Sequence, residues 1–122
     1  MINILYCFDS NYNVQAAVSI NSILDKFNND TNIFIVHDNP SSFKKFEKKL
    51  KNKKNLNSLN IYRFDNTEYD FPNLNDSHVT YATYFRMFID NYLPKNLDFL
   101  VYVDADIICL ENPEDELDII FK

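Results

Sequence analysis

Residues 2–27, INILYCFDSNYNVQAAVSINSILDKF, decide the fold because they hold a strand pattern and a helix pattern separated by one short turn. Residues 2–8 are apolar except for Asn3, which is typical of a strand buried on both faces of a parallel sheet. The polar residues 9–11 are a turn signal. From 12 to 27 the apolar residues recur at helical spacing, so this stretch predicts a strand followed by a helix.

The rest of the chain repeats this alternation of strands and helices, interrupted once by a long polar loop. The alternation predicts an α/β fold with a Rossmann-like, mostly parallel sheet that helices cover on both faces, in one domain spanning residues 1–122. The elements predicted after the first helix are, in chain order, a strand at 33–36, a helix from Ser41 or Ser42 (either serine can cap it) to about Lys53, a strand at 59–64, the loop at 65–77, a helix at 80–93, a strand at 99–103, a short strand after Asp106 and a final helix at 114–122.

Composition excludes several classes of protein. The 122 residues carry a net charge of −6, which argues against nucleic acid as a partner. The lysines between 44 and 54 indicate a solvated helix face. Cys7 and Cys109 lie in separate apolar runs, which predicts two reduced thiols and no zinc site. Because no signal peptide or membrane-spanning run is recognisable, we expect a cytoplasmic protein without a transmembrane segment.

The chain contains no glycine. This excludes the glycine-rich phosphate loop and the dinucleotide-binding fingerprint, which both need glycine where the backbone approaches the ligand. Any phosphate must then be held by a metal ion, by side chains or by a helix N-terminus. Asparagine is expected to take the left-handed backbone positions instead, at Asn28–Asn29, Asn60 and Asn96.

Polar side chains follow three of the predicted strands. Asp9 follows the first strand, His37 and Asp38 follow the second, and Asp104 follows the fourth. In parallel sheets ligands bind outside the carboxyl ends of the strands. We therefore expect the functional site at this edge of the sheet.

The stretch VYVDADIICLENP, residues 101–113, places two aspartates directly behind a strand. If residues 103–107 stay extended, Asp104 and Asp106 project to one side and Ala105 to the other. Two neighbouring carboxylates repel each other, and a divalent cation with oxygen ligands removes that conflict. Mn²⁺ or Mg²⁺ held by two carboxylates keeps positions that a diphosphate can fill. The alternative is a solvated turn with two exposed aspartates.

Three blocks together resemble the amino-terminal half of a family 8 glycosyltransferase. They are ILYCFDSNY at 4–12, HVTYATYFRMFIDNYLP at 78–94 and LVYVDADIICLENPEDEL at 100–117. The middle block is the most specific, because few other families carry such a stretch before D-x-D. The family consists of retaining, metal-dependent enzymes that have a GT-A fold and use UDP-sugars. The resemblance therefore implies the nucleotide-binding half of a GT-A fold.

The resemblance also implies a role for individual residues. Asp9 is also suited to capping the helix at 12–27, a role compatible with ligand binding, and Arg86 is compatible with a surface ion pair. His78 has no sequence support as a catalytic base. The implied site consists of Asp9, Asn11 and Tyr12, which receive the uridine, Thr83 and Arg86, on a helix facing the nucleotide, Asp104 and Asp106, which bind Mn²⁺ or Mg²⁺, and Ala105, whose backbone approaches the ribose.

The implied reaction transfers a sugar from UDP-glucose or UDP-galactose to a hydroxyl of a glycan or lipooligosaccharide acceptor, with retention. In the family, a metal-binding histidine and most of the sugar and acceptor sites lie downstream of the matched blocks. We therefore expect a truncated half domain that binds nucleotide or metal weakly, transfers little or no sugar, and self-associates through exposed apolar surface.

Three other functions share some of these sequence features. A haloacid-dehalogenase-type phosphatase has its D-x-D at the chain start, and Ile107 stands where it has glycine. A phospho-receiver domain needs an acidic pair after the first strand, where this chain has Asp9 alone. A non-catalytic module that binds a nucleotide-sugar or a partner chain shares every motif with the glycosyltransferase and differs only in turnover.

Overall fold

The structure, a computed structural model, describes residues 1–64 and 86–121, with the backbone alone at 86–88. Its described strands form one parallel sheet in the order β3-β2-β1-β4. This confirms the predicted α/β fold with its parallel sheet. The elements are β1 (Ile2–Phe8), a 3-10 helix (Ser10–Tyr12), α1 (Asn13–Lys26), β2 (Thr31–His37), a 3-10 helix (Pro40–Phe43), α2 (Lys44–Leu50), β3 (Leu56–Arg63), a 3-10 helix (Arg86–Asn91), β4 (Val101–Tyr102) and α3 (Glu114–Phe121).

Helices α1 and α2 cover one face of the sheet. Every second residue of β1 points to this face, and Ile4, Tyr6 and Phe8 are buried there. They pack with apolar residues of α1 and with Phe43, which is fully buried. Because burying such a side chain stabilises the fold by about 1.5–3 kcal/mol, this cluster is the main core. The apolar residues Val14 and Val18 of α1 are exposed and lie outside it.

The opposite face is covered by the segment that follows the 3-10 helix Arg86–Asn91. Leu5 and Cys7 of β1 pack there with Leu93 and Leu100. Both faces of the sheet are therefore covered, as the near-continuous apolar pattern of β1 indicates. Within the described residues no helix is long and apolar enough to cross a membrane.

A ladder of polar side chains crosses this second face. Asn3, Asn32 and Ser58 are register partners on β1, β2 and β3. The Asn3 side chain donates to the Phe99 carbonyl at 3.2 Å, and Asn32 donates to the Asn3 side chain at 3.0 Å. The hydroxyl of Ser58 donates to Asn32 at 2.7 Å. These bonds account for the one polar residue of β1, because Asn3 ties three strands and the segment before β4 into one register.

The final helix, α3, is anchored to the loop between α1 and β2. Glu114 is 6% exposed and accepts hydrogen bonds from the backbone N–H groups of Asn28 and Asn29 and from the Asn29 side chain. At its other end Phe121 stacks on Phe99, with ring centroids 4.3 Å apart. Ile119 and Ile120 are exposed on the same helix. Self-association through such apolar surface stays a prediction.

Three local predictions are wrong. No strand follows Asp106 within 107–113, where the N–H of Cys109 donates to the Ser22 hydroxyl instead of a neighbouring strand. Neither Ser41 nor Ser42 caps α2, because Pro40 starts a 3-10 helix that contains both serines. No described residue has a positive φ, so asparagine takes no left-handed position there. Helix α1 instead ends at Phe27 in an extended conformation.

Other bounds differ by a few residues. β2 extends from Thr31 to His37, beyond the predicted 33–36, and β4 is limited to Val101–Tyr102 within the predicted 99–103. The helix predicted at 80–93 is described from Arg86, and as a 3-10 helix to Asn91. The predicted loop at 65–77 lies outside the described residues, as do His78 and Thr83.

Candidate functional site

The Asp9–Tyr12 turn, residues 9–12, leads from β1 into α1. Asp9 is 9% exposed, and its Oδ1 accepts the N–H of Asn11 at 2.9 Å. Its carbonyl accepts the N–H of Tyr12 at 3.0 Å. Asp9 therefore caps the 3-10 helix at the carboxyl end of β1. The predicted alternative, in which Asp9 caps the helix at 12–27, is not observed, because Tyr12 is the N-cap residue of α1. The side chains of Ser10, Asn11 and Tyr12 remain exposed at this edge of the sheet.

A buried polar network lies behind the Asp9–Tyr12 turn. Asn13 is 8% exposed, and its side-chain N–H donates to the Ser42 carbonyl at 3.2 Å and to the Ser42 hydroxyl at 3.0 Å. Its Oδ1 lies 2.8 Å from Nε2 of His37. The Nδ1 of His37 accepts the N–H of Asn39 at 2.8 Å. One side chain thus joins the start of α1 to the end of β2 and to the 3-10 helix Pro40–Phe43.

The hydrogen bonds define the protonation state of His37. Since Nδ1 accepts the Asn39 N–H, the ring proton lies on Nε2, which donates to Asn13. The ring is fully buried, and this burial lowers the pKa of His37, although the carboxylates of Asp38 and Asp9 oppose the shift. His37 is therefore neutral, and its 3.3 Å contact with Asp38 is not an ion pair.

Sequence reasoning noted His37 only as a residue at a strand end, and it missed Asn13. A signal for Asn13 is present, because it precedes the buried residues Ala16 and Ile20 by one and two helical turns. A polar residue on the buried face of a helix needs a polar partner. His37 in the next strand supplies that partner.

The acidic turn, residues 104–107, follows β4. β4 pairs with β1, and the N–H of Val103 continues this pairing with a 3.0 Å hydrogen bond to the Leu5 carbonyl. Asp104 and Asp106 are exposed, whereas Ala105 is partly buried against the main core. Burial therefore alternates along 103–106 as the sequence predicts.

The backbone of the acidic turn does not stay extended, contrary to the premise of the prediction. The N–H of Ile107 bonds to the Asp104 carbonyl at 3.2 Å and closes a turn. Both carboxylates nevertheless face solvent. Because β1 and β4 are parallel neighbours, the acidic turn and the Asp9–Tyr12 turn leave the same edge of the sheet. Of the other predicted site residues, Thr83 lies outside the described residues, and Arg86 is described by its backbone alone.

The family model of glycosyl transferase family 8 matches residues 3–122. The chain belongs to glycosyl transferase family 8. It is 33% identical over 111 residues to the lipopolysaccharide 1,2-glucosyltransferase of Escherichia coli. That match covers 88% of this chain but 32% of the relative, so the family 8 chain spans about a third of the relative's length.

Solved structures share the fold of this family 8 chain. The active-site mutant Q189E of LgtC superposes with a TM-score of 0.78 at 16% identity, and galactosyltransferase LgtC with donor and acceptor sugar analogues superposes with 0.76 at 15%. Each match covers 96% of this chain and 42% of the other. The bifunctional glycosyltransferase WbbM gives 0.67 at 21% identity, covering 96% and 20%. These likenesses establish the GT-A architecture of the sheet and its helices.

The donor set of the acidic turn fits a hard cation in part. The carboxylates of Asp104 and Asp106 are the oxygen ligands that Mn²⁺ and Mg²⁺ prefer, and both are exposed. Across residues 1–64 and 86–121, no three His, Cys, Asp or Glu side chains are grouped to hold a metal ion. Two carboxylates leave most of an octahedral shell for other oxygens. Such a pair suits a cation that arrives with, or is completed by, a phosphate ligand.

Proposed function

We propose that this family 8 chain binds the nucleotide of a UDP-sugar at the carboxyl edge of its sheet and that, as part of a full-length enzyme, it transfers the sugar to a hydroxyl acceptor with retention. The observation that carries the proposal is the pairing of β1 with β4. This pairing sets a capped turn with exposed polar side chains beside a turn with two exposed carboxylates. One turn suits a nucleoside, and the other suits a metal–diphosphate.

The Asp9–Tyr12 turn is proposed to take the uridine. Asp9 uses Oδ1 for the cap, and a carboxylate can accept several hydrogen bonds, so Asp9 can also accept the N–H of uracil. The exposed Tyr12 ring offers a stacking surface for the base, and Asn11 offers donors and an acceptor. The resemblance to family 8 sequences adds Thr83 and Arg86 to the residues proposed to face the nucleotide.

The acidic turn is proposed to hold Mn²⁺ or Mg²⁺ through Asp104 and Asp106, with the backbone of Ala105 near the ribose. When bound, the cation neutralises the charge that develops on the departing UDP. The two aspartates orient it at the strand end, where the hydrogen bond from Ile107 fixes the backbone of their turn. UDP-glucose and UDP-galactose are the proposed donors, and a glycan or lipooligosaccharide is the proposed acceptor.

A second candidate function is a non-catalytic module that binds a nucleotide-sugar or a partner. The observation favouring it is that the described residues supply two carboxylates and no third side chain for a metal. This module would bind UDP with metal and show no turnover. We propose cytoplasmic UDP-sugar binding for both candidates, and the two differ in transfer alone.

Calorimetric titration of UDP into the chain, with Mn²⁺ and then with EDTA, tests the proposal. We expect Mn²⁺-dependent binding that Asp104→Asn/Asp106→Asn abolishes. The matched control is Asp115→Asn/Asp118→Asn, which removes two exposed aspartates from α3 and should bind like the unmodified chain. Equal loss in both variants, or binding that EDTA leaves intact, would contradict a metal site at the acidic turn.

A further inference from the structure

We propose that Asn13 and His37 are positioning residues that hold the Asp9–Tyr12 turn in the shape that accepts the nucleoside. This inference rests on the proposed function and deepens it, because it attributes the fixed backbone conformation of the binding turn to a hydrogen-bond network that lies behind the turn and outside the proposed ligand contacts. The network consists of Asn13, His37, Asn39 and Ser42.

The turn has little else to fix it. The 3-10 helix Ser10–Tyr12 contains no buried residue, so no apolar side chain anchors it. Its conformation is set at its two ends, by the Asp9 cap and by the N–H of Asn13, which bonds to the Ser10 carbonyl. His37 and Ser42 fix the Asn13 side chain through hydrogen bonds. The rigid end of the turn is therefore Asn13.

Order in a binding turn raises affinity. A ligand that binds a preformed turn avoids the loss of backbone entropy that it would otherwise cause by ordering those residues. Removal of the Asn13 side chain frees the turn at one end while leaving Asp9, Asn11 and Tyr12 in place. The expected result is a weaker affinity for UDP without any lost contact to it.

The network requires a neutral His37 ring, because Nδ1 must be unprotonated to accept the Asn39 N–H. A proton on Nδ1 would turn both ring nitrogens into donors, and the Asn39 N–H would then face an N–H. The rings of Phe8 and Phe43 contact His37 from β1 and from the 3-10 helix Pro40–Phe43, and they offer no acceptor to the Asn39 N–H. The added proton on Nδ1 would face Asp38 Oδ1, 3.3 Å away, so protonation would exchange the Asn39 bond for a contact with Asp38. The charged groups that face His37 are Asp38 and Asp9, which favour the proton, whereas burial disfavours it.

The test measures the Kd of UDP with Mn²⁺ for the unmodified chain, Asn13→Ala, His37→Leu, His37→Gln and Tyr6→Phe. Asn13→Ala and His37→Leu should bind UDP about tenfold more weakly. A tenfold change in Kd corresponds to the net free energy that about one hydrogen bond contributes. His37→Gln should restore most of the affinity, because glutamine offers one acceptor and one donor. Tyr6→Phe is the matched control, since it deletes a buried hydrogen bond to Ser19 beneath the same helix and should leave Kd unchanged.

A pH profile gives a readout that a loss of stability would not reproduce. Affinity should fall toward about pH 5 more steeply for the unmodified chain than for His37→Gln, which cannot titrate. The Gln variant is the necessary reference, because a terminal phosphate itself gains a proton near about pH 6. Parallel profiles for the two proteins would overturn the role of His37.

Backbone amide exchange separates failure of this inference from failure of the proposed function. Without nucleotide, the N–H groups of Asn11 and Tyr12 should exchange faster in Asn13→Ala than in Tyr6→Phe. If the unmodified chain binds no UDP at all, the proposed function fails and this inference fails with it. If the chain binds UDP and Asn13→Ala binds as tightly, with unchanged exchange in the turn, the proposed function stands and the inference is overturned.

Discussion

Replacing Glu114 with glutamine should destabilise the chain at neutral pH, because it removes the carboxylate that anchors α3. Glu114 is 6% exposed and accepts hydrogen bonds from three donors of Asn28 and Asn29, which lie 86 and 85 residues earlier in the chain. Glutamine keeps one acceptor oxygen but turns an NH₂ group toward N–H donors. At least one buried donor is then left without an acceptor.

The size of the effect follows from those bonds. A hydrogen bond to a charged group contributes about 1.5–3 kcal/mol, so Glu114→Gln should lower the free energy of unfolding by about 2–3 kcal/mol. With a urea m-value of about 2 kcal/mol per molar, the midpoint of urea unfolding should fall by about 1 M. The matched control is Glu116→Gln, an exposed residue of the same first turn of α3, with an expected change below about 0.5 kcal/mol.

The stabilisation by Glu114 should depend on pH. Burial alone would raise the pKa of Glu114, but the hydrogen bonds from Asn28 and Asn29 outweigh burial and hold the pKa below its ordinary value of 4.5. A carboxyl with a lowered folded pKa stabilises the fold above its unfolded pKa, and this stabilisation is lost as the pH falls through the folded value. The difference between the unmodified chain and Glu114→Gln should therefore be largest near neutral pH and shrink below 4.5.

Urea unfolding followed by circular dichroism at several pH values measures both effects. Equal urea midpoints for Glu114→Gln and Glu116→Gln at pH 7 would rule out Glu114 as the anchor of α3. A difference between Glu114→Gln and the unmodified chain that grows as the pH is lowered would rule out stabilisation by the ionised carboxylate.

Two further substitutions test the packing of the sheet by the same urea assay. Asn32→Ala should cost about 2 kcal/mol, because it leaves the buried Asn3 side chain without its donor. The control is Asn57→Ala, which removes an exposed side chain that donates to Asn32 from outside the ladder and should cost under about 0.5 kcal/mol. Equal costs would contradict a role for the ladder. Phe43→Ala should cost about 3–5 kcal/mol, because the ring is fully buried against Phe8, and a cost below about 1 kcal/mol would show that the site collapses without a cavity.

The sequence predicts the order of elements because that order depends on local patterns. The apolar run of β1 and the helical spacing of α1 are each visible within a few residues. The strand end at Asp9 follows from the same local pattern, whereas the burial around Asp104 alternates although the backbone turns there and is not extended. These predictions hold because one or two neighbours in sequence determine them.

The wrong predictions involve partners that are distant in sequence. Cys109 finds the hydroxyl of Ser22 across 87 residues, so the chain after Asp106 needs no neighbouring strand. Asn13 pairs with His37 across 24 residues; helical spacing places Asn13 on the buried face of α1, but no local pattern identifies His37 as its partner. Ser42 bonds to the Asn39 carbonyl and meets Asn13, which takes it away from the capping role that its sequence context suggests.

If the Asp9–Tyr12 turn and the acidic turn form one nucleotide site, nuclear magnetic resonance of the ¹⁵N-labelled chain should detect a response at both turns. UDP with Mg²⁺ should shift the amide signals of residues 9–13, and replacement of Mg²⁺ by Mn²⁺ should broaden those of residues 104–107. Asp104→Asn/Asp106→Asn should abolish the broadening. Shifts and broadening centred elsewhere, such as the acidic first turn of α3, would contradict a shared nucleotide site at the two turns.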